Sequence, residues 1–99
     1  MPSLTAKQAD RRMGAIPLWV RRRKAIRRTF VFVGFEDAVA FVNRVAKAAE
    51  KSDHHPDINI RWNKVTLALS THSEGGLTAK DFSMARRCSA LFSGNSRRR

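Results

Sequence analysis

All three histidines of this chain fall in two short runs. His54 and His55 sit in Glu50-Lys51-Ser52-Asp53-His54-His55-Pro56-Asp57, and His72 belongs to Ser70-Thr71-His72-Ser73. Imidazole titrates near pH 6.5, so at neutrality one histidine can give a proton while another takes one. A carboxylate, Asp81, follows at the start of an apolar-periodic run. The chain shows neither a nucleophilic Ser or Cys signature nor a glycine-rich phosphate loop. Zinc is disfavoured, because adjacent residues of an extended segment point opposite ways and there is no cysteine pair to complete a ligand set. This inventory supports proton transfer without a metal or cofactor.

These groups need a scaffold. Pro56 stops any helix, and Ile58, Ile60 and Trp62 then alternate with Asp57, Asn59 and Arg61. Val65, Leu67, Leu69 and Thr71 alternate in the same way after Asn63-Lys64. The pattern predicts an antiparallel hairpin with one apolar face. With Asn63-Lys64 as its loop, Trp62 faces Val65, Ile60 faces Leu67 and Ile58 faces Leu69. The same register sets His55 opposite His72. The bend at Pro56 leaves the direction of His54 open.

Upstream, Thr5 to Gln8 has the form of a capping box, with Leu4 as its staple, and the helix it opens ends near Gly14. Leu18 to Val20 is a weak strand. Arg21 to Lys24 is a turn of four like charges without the Gly or Asn that a tight turn prefers. Ala25 to Val33 is the clearest strand, with Ile26, Phe30 and Phe32 on one face and Arg28 an exception. Phe35 to Lys51 is the strongest helix, with an apolar stripe of Phe35, Ala38, Val39, Val42, Val45, Ala46 and Ala49. Phe41 lies off that stripe and is expected at an interface. Thr78 to Asp81 is a second capping box, opening a helix to about Phe92. Asp81 there either caps the helix or faces the histidine end of the sheet.

Ninety-nine residues suit one domain, 1–99, ending in a basic, disordered tail over 94–99. Twenty Lys and Arg against eight Asp and Glu give a net charge of +12, concentrated in the N-terminal third and the tail. Such a surface attracts nucleic acid or other polyanions nonspecifically. A single cysteine, Cys88, excludes an intrachain disulfide. No apolar run reads as a signal peptide or membrane span, so a soluble, cytoplasmic protein is expected.

Taken together, Ala49 to Pro56, Trp62-Asn63-Lys64-Val65, Leu69-Ser70-Thr71-His72, Gly76-Leu77-Thr78 and Asp81 resemble the pterin-4a-carbinolamine dehydratases. Ala25 to Phe32 with Phe35, Ala38, Phe41, Val45 and Ala46 extends the resemblance, which covers about residues 15–92. It implies an α+β fold, a four-stranded antiparallel sheet with three helices packed on one face in the order α-β-β-α-β-β-α. That order agrees with the elements read above. It also implies dehydration of 4a-hydroxytetrahydropterin to quinonoid dihydropterin, recycling the tetrahydrobiopterin-type cofactor of aromatic amino-acid hydroxylases. By the same resemblance His54 and His72 are the proton-transfer pair and His55 contacts the pterin. Asp53, Pro56, Ser70, Thr71 and Ser73 then line the binding site, Asp81 supports it, and Glu50 sits at its rim. A homodimer or homotetramer is implied, with pterin as substrate and no separate cofactor. A non-catalytic dimerisation or transcription cofactor, or a basic nucleic-acid-binding module, on the same fold is the alternative. The departures are a shorter segment between Trp19 and Ile26, the basic turn, Ile58 in place of an aromatic residue and Ser73 in place of an acid.

Overall fold

The computed structural model of the chain describes residues 2–96. Helix α1 (Ala6–Arg12) opens on the expected capping box, with Thr5 Oγ accepting from the Gln8 amide and the Gln8 side chain accepting from the Thr5 amide. A 3-10 turn, Met13–Ala15, carries the chain to a hairpin of β1 (Val20–Arg22) and β2 (Ala25–Val31). Helix α2 (Phe35–Ser52) crosses to a second hairpin, β3 (Asp57–Arg61) and β4 (Lys64–Leu69). Another 3-10 turn, His72–Glu74, leads to α3 (Ala79–Ser96). The four strands form one antiparallel sheet in the order β1-β2-β4-β3, with the helices packed on one face. The α-β-β-α-β-β-α order is as expected.

Four local readings are corrected. First, the β3–β4 loop is Trp62-Asn63, so Ile60 pairs with Val65 and Ile58 with Leu67. The loop is set by tertiary pairing with β2: the Phe32 amide donates to the Asn63 carbonyl at 2.8 Å, and Asn63 Nδ2 donates to the Phe32 carbonyl at 2.9 Å. Trp62 takes a left-handed φ of 53° in this turn and is 70% exposed. The slip is by two positions, so every side chain keeps its face. The paired ladder ends at Asp57 and Ala68, short of the histidines.

Second, the charged turn is tighter than expected. Arg21 and Arg22 belong to β1, and only Arg23-Lys24 form the loop, with Arg23 at φ 57°. A left-handed L-residue costs about 1–2 kcal/mol. The turn is braced by Arg21, whose Nη1 donates to the Arg23 carbonyl at 2.7 Å while its Nε donates to Asp10 at 2.6 Å.

Third, Phe41 is no surface residue. It is 0% exposed and packs against Phe30 and Phe32 at centroid distances of 4.8 and 5.1 Å. The buried stripe of α2 is Ala38, Phe41, Val45, Ala48 and Ala49, while Phe35 and Ala46 face out. Periodicity identified an amphipathic helix but misjudged its rotation, because alanine and valine fit a half-exposed face as readily as a buried one. Truncation of Phe41 to alanine is expected to cost about 3–5 kcal/mol of stability, read as a shift in the urea midpoint at unchanged slope.

Fourth, α3 runs past Phe92 to Ser96. The expected tail beyond that, residues 97–99, lies outside the described residues. Inside the core, Arg28 is the anticipated exception on β2. Its guanidinium lies over the Phe30 ring at 4.3 Å and the Phe92 ring at 5.3 Å, and it donates to Ser89 Oγ. Burial lowers its pKa, and burial pushes the Cys88 thiol up to about 12. The Cys88 thiol is therefore inert and structural.

Candidate active site

Helix α2 delivers the first histidine run. It ends at Asp53, whose left-handed φ of 52° turns the chain, so that the His54 amide donates back to the Ala49 carbonyl. Asp53 is thus the residue that ends the helix. Buried Pro56 follows and starts β3. The second run leaves β4: Ser70 Oγ donates to the Lys24 carbonyl at 2.6 Å, tying β4 to the basic turn. A bridge between Thr71 and Gly76 closes the loop that carries His72, with Gly75 at φ 75° completing its tight turn.

The site has two parts. The inner one is centred on Asp81, a carboxylate with 0% exposure. Asp81 Oδ2 accepts from the Thr71 hydroxyl at 2.8 Å and from the Thr78 amide at 2.9 Å. Its Oδ1 lies 2.6 Å from His54 Nε2. Since Asp81 accepts every other bond, His54 Nε2–H donates here, leaving Nδ1 as the imidazole atom free to exchange a proton. The Thr78 hydroxyl, 2.9 Å from Thr71 Oγ1, accepts from the Lys80 amide and extends the network. Both readings of Asp81 hold together, because one oxygen caps α3 and the other holds His54.

The outer part is a cleft of about 410 Å³ between the basic turn, the start of β3 and the end of β4. His55, Ser70 and His72 line it. His55 Nε2 also lies 2.6 Å from Glu50 Oε2, with both side chains exposed. Among the described residues the His72 imidazole has no hydrogen-bond partner, so both its nitrogens face the cleft or solvent. The two histidines therefore share one cleft, although the ladder that was to align them stops short of both. His54, Asp81 and Thr71 stand in the inner network. Glu50 is tied to His55, Pro56 is buried, and Ser73 is exposed on the 3-10 turn. A larger groove of about 640 Å³ between α2 and α3 contains none of the histidines.

The sequence reading gave no site role to five contributors. Thr78 was read only as a cap, and its bond to Thr71 needed the fold to appear. Asp57 closes the first histidine run and alternates as a polar strand position, and it lines the cleft. Arg22, Arg23 and Lys24 also line it. Their signal was present, as a charge run where a turn normally carries Gly or Asn. Among the described residues no group of three His, Cys, Asp or Glu side chains is arranged to hold a metal ion, and no helix is long and apolar enough to cross a membrane.

Comparison with known proteins bears on the fold and the family. The family model described as pterin 4 alpha carbinolamine dehydratase matches residues 2–91. A protein of Roseiflexus castenholzii is 51% identical over 82 residues, covering 83% of this chain and 88% of its own. One of Acidobacterium capsulatum is 47% identical over 92 residues, covering 93% and 100%. Both bear the name "putative pterin-4-alpha-carbinolamine dehydratase". Among solved structures, a transcriptional coactivator/pterin dehydratase from Brucella melitensis superposes with a TM-score of 0.85 at 39% identity, covering 91% of this chain and 98% of its own. A pterin dehydratase-like RuBisCO assembly factor of the alpha-carboxysome shares the fold, with a TM-score of 0.61 at 23% identity over 74% of this chain and 84% of its own. The chain belongs to the pterin 4 alpha carbinolamine dehydratase family.

Proposed function

We propose that this protein dehydrates 4a-hydroxytetrahydropterin to quinonoid dihydropterin by histidine acid–base catalysis. The observation that carries the reading is the placing of His55 and His72 in one cleft, with Thr71, next to His72, bonded to the Asp81 carboxylate that holds His54. In the reaction the C4a–O bond breaks, the departing hydroxyl takes a proton and leaves as water, and N5 loses its proton as the C4a=N5 double bond forms. One group must give a proton and one must take a proton, and imidazole can serve in either role. His72 and His54 are the transfer pair, the latter through Nδ1, and Asp81 positions His54 by fixing its tautomer. His55, held by Glu50, contacts the pterin ring, and Ser70 fixes the wall of the cleft. Asp53, Pro56, Thr71 and Ser73 complete the substrate-binding set.

The chemistry calls for no separate cofactor, and the quinonoid product, after a two-electron reduction by a separate reductase, returns as the tetrahydropterin that a hydroxylase consumes. A homodimer or homotetramer in the cytoplasm is part of this reading. The open edge strand β3, with half-exposed Ile58 and Ile60 beside Trp62, supports self-assembly. The unmodified protein is expected to accelerate the decay of 4a-hydroxytetrahydropterin, followed by ultraviolet absorbance, in proportion to its concentration. A decay rate equal to that of buffer alone sinks the proposal.

A further inference from the structure

The cleft is more basic than the proton transfer requires. Arg22, Arg23 and Lys24 line it on one side, and Asp57 is the only carboxylate among its lining residues. Among the described residues none of the three cations makes an ion pair, whereas their neighbour Arg21 is committed to Asp10. Arg22 ends β1, and the turn that presents Arg23 and Lys24 beside it is strained at Arg23, φ 57°, where glycine would sit without cost. It is also held in place, by Ser70 Oγ on the Lys24 carbonyl and by Arg21 on the Arg23 carbonyl. A rigid, unpaired cationic turn facing the cleft suits an anion fixed to the substrate.

We infer that Arg22, Arg23 and Lys24 form a subsite for an anionic group on the pterin side chain, so that the preferred substrate carries a phosphate or carboxylate there. The inference rests on the dehydratase reading and names the substrate class of the same cleft. Phosphomonoester and glutamate-type carboxylate share the chemistry. Arg forks favour the phosphate, because its oxygens accept in pairs.

The test compares three stable dihydropterins by calorimetry. One has a neutral dihydroxypropyl side chain, one has the same side chain phosphorylated, and one is a folate-type compound bearing glutamate carboxylates. The expected result is about tenfold or greater tighter binding of at least one anionic compound than of the neutral one, fading as salt rises. Phosphate-only tightening identifies a phosphomonoester, and equal tightening identifies negative charge as such. In Arg22→Gln/Arg23→Gln/Lys24→Gln the anionic-to-neutral ratio falls to near one. Arg23→Gly removes one charge while relieving the backbone, so it folds at least as well and lowers the ratio in part. A ratio near one in the unmodified protein, or one unaltered in both variants, overturns the subsite. Turnover of the neutral 4a-hydroxytetrahydropterin is measured alongside. Turnover with a ratio near one removes the subsite and keeps the dehydratase. Tight, salt-sensitive binding of anionic pterins without any turnover removes the reaction and keeps the subsite.

Discussion

Replacing His72 by alanine is expected to slow the dehydration by about 100- to 10,000-fold, the range that a positioned general acid or base contributes. The loss should fall on kcat, because the imidazole acts on a proton in flight and not on the resting pterin. His72 is exposed on its 3-10 turn and bonds to no other side chain among the described residues. Its removal therefore leaves the core intact, and melting should shift by less than about 4 °C. Stopped-flow decay of 4a-hydroxytetrahydropterin, with added imidazole as a rescue agent, reads the effect. An unaltered kcat in the variant would remove the role assigned to His72. The equivalent change at His55 should raise KM more than it lowers kcat, since His55 contacts the ring without moving the proton.

The second large effect is at Asp81. Truncation to alanine removes the acceptor of the buried Thr78 amide and of the part-buried His54 Nε2–H, and leaves the buried Thr71 hydroxyl with only the Thr78 hydroxyl. A buried charged acceptor removed in this way costs about 3–5 kcal/mol. Even the lower figure, about 3 kcal/mol, lowers Tm by about 12–24 °C in a domain of this size. Asp81→Asn separates architecture from chemistry. Its carboxamide keeps the volume and one acceptor oxygen, which can still serve Thr71 and Thr78. Its NH2 then faces His54 Nε2, which must become an acceptor and move the ring proton to Nδ1. The expected outcome is a milder loss of stability, about 1–2 kcal/mol, with kcat reduced at least tenfold and a displaced pH–rate profile. A merely structural Asp81 would lower Tm in both variants and leave the asparagine enzyme's kcat and pH profile where they were.

These expectations show how unevenly the molecule could be read from its residues. Amphipathic α2, the β3–β4 hairpin, the first capping box and the Asp81 half of the second were legible because their signals are local. Apolar residues recur at 3.6 or 2 positions, and capping side chains bond within three residues of themselves. The fold family followed from the His54-His55-Pro56 run together with Thr71-His72 and Asp81. The rotation of α2 was not legible, because Phe41 finds its place only against Phe30 and Phe32. Nor was the hairpin loop, because the bonds between Asn63 and Phe32 that select it join residues 31 apart.

The same division runs through the site. By itself the sequence determined the reagents: three imidazoles, a carboxylate at a helix start, and a charge run out of keeping with a turn. Only the tertiary structure decided their partners. It gave His54 to Asp81, because α3 begins beside the end of α2, and it set His55 and His72 on one cleft, because the chain turns at Asp53 and closes at the Thr71–Gly76 bridge. It also carried the basic turn to that cleft, through a bond from Ser70 to Lys24 across 46 residues. Contacts between distant segments depend on how whole elements pack, and no local pattern encodes that.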